Sequence, residues 1–235
     1  MLSIIIPVLN EEKNLSKLLP MIIKGGLDDL EIIIADAGSK DKTIEIARKF
    51  NCIITKGGLP ARGRNCGAKI AKGEVLFFMD ADLKFSPKSF VKKAYDYFKK
   101  NDLTIASFPI LPIKNNIYLN PVTLNLTYNY PQIVLKKVFP MGAMGIMVKR
   151  EVFDKVGGFD EGITLAEDHY FVQQACKYGK FDIIREVMIY MPTRRFERDG
   201  YFRTAFKYLR CGLKLGILGK PERKVRYDFG HYDKK

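Results

Sequence analysis

Four short apolar runs, Ser3–Val8, Leu30–Ala35, Cys52–Thr55 and Val75–Met79, alternate with helix-patterned segments through the first hundred residues. Runs this short, and rich in β-branched and aromatic side chains, suit strands buried on both faces. Strands that alternate with helices pair as a parallel sheet with right-handed crossovers. The expected fold class is therefore α/β, beginning with a Rossmann-like half. Between the runs, Asn10-Glu11-Glu12 opens a helix with acids in its first turn, where the helix dipole favours them, and Gly25-Gly26 closes it. Ser39 is the expected N-cap of a helix running to Phe50. A glycine-rich basic loop, Gly57–Gly67, leads into a helix over Ala68–Lys72. No G-x-G-x-x-G follows the first strand, which argues against a dinucleotide site.

The fourth run ends on two carboxylates, Asp80 and Asp82. Side chains two apart in an extended chain point the same way. Such a D-x-D pair can therefore hold one hard divalent cation, Mg²⁺ or Mn²⁺, shared with a diphosphate. Ligands of open α/β sheets gather beyond the carboxyl ends of the strands, which is where these acids stand. The alternative is an acidic turn that caps the next helix.

From Ile105 to Phe139 the pattern loosens under Pro109, Pro112, Pro121 and Pro131. A strand, a loop-rich excursion and one helix near Leu124–Val138 are expected there. A strand over Met141–Val148, a helix over Arg150–Val156 and a helix over Leu165–Gly179 follow, with a last strand over Ile183–Met191. Gly200–Gly219 reads as an amphipathic helix. Arg203, Lys207, Arg210 and Lys214 form one stripe, and Phe202, Phe206, Leu209, Leu213 and Ile217 form the next. Residues 220–235 read as a mobile basic tail.

The chain of 235 residues carries 40 Lys and Arg against 26 Asp and Glu, a net charge of +14 that favours polyanionic partners without choosing among them. Its four cysteines are scattered and form no metal-type pair, which fits a reducing compartment. The first strand begins at once, with no leader expected before it, and no apolar run approaches the 18 or so residues of a membrane span. The expected location is cytoplasmic, or peripheral on the cytoplasmic face of a membrane.

Five segments then line up in order: Ser3-Ile-Ile-Ile-Pro-Val-Leu-Asn-Glu-Glu12, Asp36-Ala-Gly-Ser-Lys-Asp-Lys-Thr43, Ala61-Arg-Gly-Arg-Asn-Cys-Gly-Ala68, Asp80-Ala-Asp82, and Gly157-Gly-Phe-Asp-Glu161 followed by Glu167-Asp168. Over roughly residues 1–195 this set resembles the inverting family 2 glycosyltransferases of GT-A fold, including non-processive members similar to dolichyl-phosphate-sugar synthases. The resemblance implies a Rossmann-like half and a mixed central sheet. It divides the chain into a catalytic domain, 1–199, with a nucleotide-sugar-binding half (1–104) and an acceptor half (105–199), then the amphipathic helix 200–219 and the tail 220–235. It implies that Pro7, Leu9 and Glu11 wall the base and ribose, that Asp36 hydrogen-bonds base or ribose, and that Arg62, Arg64, Asp80 and Ala81 meet the nucleotide sugar. Metal would sit on Asp80 and Asp82. Asp168, beside Glu167, matches the general base, while His169 is expected to be structural.

Processive synthases carry Gln-x-x-Arg-Trp after the last strand, whereas this chain has Phe196 at the tryptophan position and no glutamine there. Arg194, Arg195 and Arg198 instead suit a loop that closes on the diphosphate or receives an acceptor phosphate. The implied donor is a UDP- or GDP-sugar, and the acceptor a sugar, a lipid or a polyprenyl phosphate, with peripheral binding to anionic membrane and no nucleic acid. Two other classes stay open on sequence, a sugar-phosphate nucleotidyltransferase and a non-catalytic nucleic-acid-binding module.

Overall fold

The structure, a computed structural model, describes residues 1–142, 144–219 and 221, with the backbone alone for 213 and 216–218. The expected tail 220–235 thus lies outside the described residues apart from Pro221, as do the side chains of Leu213 and Ile217 in the apolar stripe.

The first half runs β1 (Leu2–Val8), α1 (Glu12–Ile23), β2 (Leu30–Asp36), α2 (Thr43–Lys49), β3 (Ile53–Lys56), α3 (Pro60–Ile70), β4 (Val75–Met79), β5 (Lys84–Ser86) and α4 (Phe90–Lys100). It continues through β6 (Ile105–Ser107), β7 (Ile110–Pro112), and α5 (Pro121–Leu124) joined by a π turn (Asn125–Asn129) to α6 (Tyr130–Val134). Then come β8 (Gly145–Lys149), α7 (Arg150–Val156), α8 (Glu167–Ala175), β9 (Phe181–Ile183), β10 (Met188–Met191), α9 (Arg194–Asp199) and α10 (Tyr201–Leu218).

The main sheet has the order β3-β2-β1-β4-β8-β6-β9. β1, β2, β3 and β4 are mutually parallel, and β8 runs against both β4 and β6. β5, β10 and β7 form a separate three-stranded sheet. Alternation along β1 sends Ile4 and Ile6 to one face, against Leu15 and Leu19 of α1 and Phe90 and Phe98 of α4. Ile5 goes to the other face, with Phe153 of α7 and Phe171 of α8. Every residue of β1 and of β4 is buried, as the uninterrupted apolar runs require of strands covered on both sides.

Several local expectations are corrected. The glycine-rich loop is mostly helix: α3 starts at Pro60, whose fixed φ suits the first helical turn, so Arg62 and Arg64 stand on a helix. Gly63 and Gly67 cost helix propensity but let α3 press on β1. A Cβ at Gly67 would overlap Ile5, and one at Gly63 would come within 2.8 Å of Pro7. Ser39 does not cap α2, which begins at Thr43 with the Asp41 carboxylate accepting from the Thr43 amide at 3.0 Å. Ser39 Oγ instead accepts from the Asn10 amide at 2.9 Å. The expected last strand is two strands in two sheets, because Arg185–Val187 carries the chain across. The helix expected near Leu124–Val138 begins at Pro121, under an Asn120–Thr123 capping box, and ends at Val134. The arginine segment expected as a loop is α9.

Candidate functional site

Parallel pairing brings the carboxyl ends of β1, β2 and β4 to one edge of the sheet, and with them Leu9–Glu11, Asp36 and Asp80–Asp82. Asp80 and Asp82 come together across a turn rather than along an extended strand, because β4 ends at Met79. Their charges act on one another and on Glu11.

Asp80 is joined to the acidic pair Glu167-Asp168 by one buried cation. Arg64 is 5% exposed; its Nη2 lies 2.9 Å from Asp80 Oδ1 and its Nη1 lies 2.6 Å from Glu167 Oε1, while the guanidinium sits 5.2 Å over the Phe159 ring. Arg64 is therefore not a solvated loop charge. The residues it joins are 16 and 103 positions away, too far for any local pattern to couple them. Burial pushes the Asp80 and Glu167 carboxyls up, and Arg64 only partly offsets it.

Asp168 behaves in the opposite way. Burial favours its neutral form, but the His169 imidazole outweighs that and holds the carboxyl below the usual range. His169 donates its amide to Asp168 Oδ1 at 2.8 Å, and its ring Nδ1 lies 3.0 Å from the same oxygen. The imidazole is in turn held above its ordinary value, against its burial, by Asp168. His169 thus engages Asp168 through both its amide and its ring, a contact between sequence neighbours. Tyr128, in the π turn, lies with its ring 6.4 Å from the His169 ring. Nothing in its local sequence marked it.

Arg194 reaches across from α9 to Asp82, Nη2 to Oδ2, at 2.7 Å. Arg195 donates to the Tyr208 hydroxyl on α10, and Arg198 grips Asp199 with two bonds, 2.7 and 3.1 Å. The three arginines expected to act together therefore point to three different partners. Arg62 is exposed on the first turn of α3 and folds over Gly58. Pro7 and Ala81 are buried, and Leu9 is half-buried. Asp36 accepts from the amides of Gly38 and Ser39 at 3.0 and 3.1 Å, an Asx-type turn. It also lines a depression of about 270 Å³ with Thr55, Lys56 and Gly57, and two amide bonds leave a carboxylate with further acceptor positions.

Among the described residues, no cluster of three or more His, Cys, Asp or Glu side chains gathers to cage a metal. Asp80 and Asp82 are two hard oxygen donors at one strand end. That suits a cation such as Mg²⁺ or Mn²⁺, which takes its remaining ligands from substrate phosphates and water. Such a cation would compete with Arg194 for Asp82.

Glu11 is 6% exposed and accepts from Asn14 Nδ2 at 2.6 Å. Burial, with the charges of Asp82 and Asp80 adding to it, pushes its carboxyl up to about 7. The folded protein thus keeps a proton that the unfolded chain releases above its ordinary value of 4.5. That stabilisation is complete below pH 4.5 and is lost as the pH rises through 7. Glu11→Gln is expected to melt above the parent at about pH 8, by at most about 3 kcal/mol, and to melt with it at about pH 4. An offset independent of pH would locate the effect in packing.

Comparison with known proteins agrees with this architecture. The family model for glycosyl transferase family 2 matches residues 3–157. An uncharacterized glycosyltransferase of Haemophilus influenzae is 28% identical over 190 residues, 77% of this chain and 64% of that protein. The poly(ribitol-phosphate) beta-glucosyltransferase of Bacillus spizizenii is 25% identical over 83% of this chain and 32% of its own length. The chain thus spans from about a third to just under two thirds of these relatives. Staphylococcus aureus TarS 1-349 in complex with UDP-GlcNAc superposes with a TM-score of 0.67 at 20% identity, over 82% of this chain and 58% of that one. The mannosyltransferase PcManGT of Pyrobaculum calidifontis, in complex with GDP-Man and Mn²⁺, superposes with a TM-score of 0.69 at 19% identity, over 94% and 65%. These likenesses establish the GT-A fold, with its mixed central sheet. Of the three classes open on sequence, the family match selects one: the chain belongs to glycosyl transferase family 2.

Proposed function

We propose that this chain transfers a sugar, with inversion and with the help of a divalent metal, from a nucleoside diphosphate to an acceptor delivered by a lipid or polyprenyl phosphate. One observation carries the reading. Arg64 ties the D-x-D turn to the N-terminus of α8, so the carboxylates suited to a donor diphosphate stand beside the one suited to an acceptor.

In this reading residues 1–104 form the donor half. Pro7, Leu9, Glu11 and Asp36 face the base and ribose, with the depression at Asp36 as the seat of the nucleoside. Arg62 and Ala81 meet the diphosphate sugar. Arg64, already engaged with two carboxylates, acts by positioning Asp80 and Glu167. Asp80 and Asp82 would hold Mg²⁺ or Mn²⁺, which supplies neutralisation of charge on the departing diphosphate. Arg194 exchanges Asp82 for the diphosphate as donor binds, and Arg195 and Arg198 stand next to it on α9 for an acceptor phosphate.

Residues 105–199 form the acceptor half. Asp168, kept ionised by His169, takes the proton of an acceptor hydroxyl as its oxygen attacks the anomeric carbon. The new C–O bond forms on the face opposite the breaking bond, and the nucleoside diphosphate leaves. A phosphate acceptor arrives already ionised and needs no base. The helix of residues 200–219 presents its apolar stripe to the cytoplasmic face of an anionic membrane. Among the described residues no helix is long and apolar enough to cross one.

Thermal shift with nucleoside diphosphates and nucleotide sugars, in Mn²⁺, Mg²⁺ or EDTA, tests the donor half. A ligand at a hundred times its Kd is expected to stabilise the fold by about 2.7 kcal/mol. The shift should be confined to uridine or guanosine, should disappear in EDTA, and should be absent in Asp82→Asn. A flat panel would reduce Asp80 and Asp82 to an acidic turn.

A further inference from the structure

Among the described residues, one group of exposed apolar side chains has no role in the proposed site. Val122, Leu126, Tyr130 and Val134, followed by Val138, repeat every four residues along the segment from α5 through the π turn to α6 and beyond, and all five are exposed. Leu126 is 68% exposed and Val138 85%. A four-residue repeat drifts by about 40° per step on an α-helix, and the wider π turn takes up part of that drift, which favours one outer face for Val122, Leu126, Tyr130 and Val134, while Val138 lies in the turn beyond α6. A second apolar face lies on α10, where Phe202, Phe206 and Leu209 are exposed. The segment just before α5 touches α10: the Tyr118 ring lies 5.2 Å from that of Phe202, and Asn116 Nδ2 donates to the Tyr201 hydroxyl.

Charge bears on what could cover this surface. No aspartate or glutamate occurs between Leu103 and Arg150, nor between Gly200 and Pro221. The same stretches carry Lys114, Lys137 and Arg203, all exposed. Asp182 meets this segment only at Lys136, whose Nζ lies 2.6 Å from its Oδ1. An apolar face whose own segments carry cations and no acid matches an anionic bilayer surface, with the rings and aliphatic chains at the headgroup boundary and the cations on lipid phosphates.

Tyr128, on the inner side of the π turn, faces His169 and donates to the Gly142 carbonyl at 3.4 Å. Tyr208 of α10 accepts from Arg195, next to the arginine that holds Asp82. The two elements that close on the candidate site from within are thus the two that are apolar and acid-free outside.

We propose that residues 117–138 and the exposed face of α10 form one platform that docks the protein on an anionic bilayer, with the acceptor side of the site at the lipid surface. This deepens the lipid-acceptor reading and rests on it for the acceptor alone. It adds to α10 a second surface, whose exposure the reading of the loosened 105–139 stretch did not anticipate.

Cosedimentation of the full chain with phosphatidylcholine vesicles, with and without phosphatidylglycerol, tests the platform. Binding is expected to need phosphatidylglycerol, to weaken with salt, and to fall at least tenfold in Leu126→Glu/Val134→Glu, where both positions are already exposed. Lys137→Glu/Arg203→Glu is expected to weaken binding to the anionic vesicles while leaving the fold intact by circular dichroism. Vesicle binding that ignores both pairs overturns the proposal. So does a dimer in sedimentation that Leu126→Glu/Val134→Glu dissociates, because a second copy would then cover the face. Nucleotide-dependent thermal stabilisation, measured on the same preparations, separates the two readings. If it persists without vesicle binding, only the platform fails; if it is absent as well, the glycosyl-transfer reading fails with it.

Discussion

Asp168→Asn is expected to slow transfer to a hydroxyl acceptor by roughly 10²–10⁴-fold, the usual contribution of a positioned general base. The carboxylate is held ionised by His169, which shares Oδ1 through both its amide and its ring. The amide that replaces it keeps the shape and loses the proton acceptor. The loss should fall on kcat, with the KM for the nucleotide sugar little changed, because Asp168 stands on α8 rather than on the strand ends proposed to hold the nucleotide. Transfer to a phosphate acceptor should be reduced far less. Steady-state kinetics with one acceptor of each kind therefore reads the acceptor class directly. An equal loss with both would move Asp168 from base chemistry to the organisation of metal or sugar.

Arg64→Met is expected to cost about 3–5 kcal/mol of folding stability, the range found when one partner of a buried ion pair is removed. Methionine fills much of the space but leaves Asp80 and Glu167 facing one another with no cation between them. Both carboxyls are already pushed up by burial, so the variant is expected to recover some stability as the pH falls and they take up protons. Adding Glu167→Gln should restore part of the loss, and the double-mutant cycle in urea measures the coupling. A shift under about 1 kcal/mol would mean that solvent screens the pair as it does on a surface. The same variant should bind nucleotide less tightly, because Asp80 loses the contact that orients it.

The local chemistry of this protein was legible along the chain. Apolar runs such as Ile4–Ile6 and Val75–Met79 can satisfy their side chains only as strands covered on both faces, and the structure buries every one of those residues. A parallel order then carries Glu11, Asp36 and Asp80 to one edge, since parallel strands present their carboxyl ends together. The helices over Arg150–Val156 and 201–218 were equally plain, the first in a patterned segment and the second between two glycines at positive φ.

What the tertiary structure decided was the pairing of charges and the use of surfaces. Gly63, Gly67 and the basic side chains of 57–67 read locally as a loop, but the same glycines let α3 lie against β1, and that contact makes the segment a helix. On that helix Arg64 is turned inward to two acids far away in sequence, while Arg62 stays outside. The three arginines of α9 show the same limit, since their partners Asp82, Tyr208 and Asp199 belong to three different elements or element ends. An ion pair depends on distance and burial, and both are set by long-range packing that no local pattern encodes. The exposed stripe over 122–138 is the converse case. Its residues are as apolar as those of the core, and only the packing of the finished fold shows that this face was left outside.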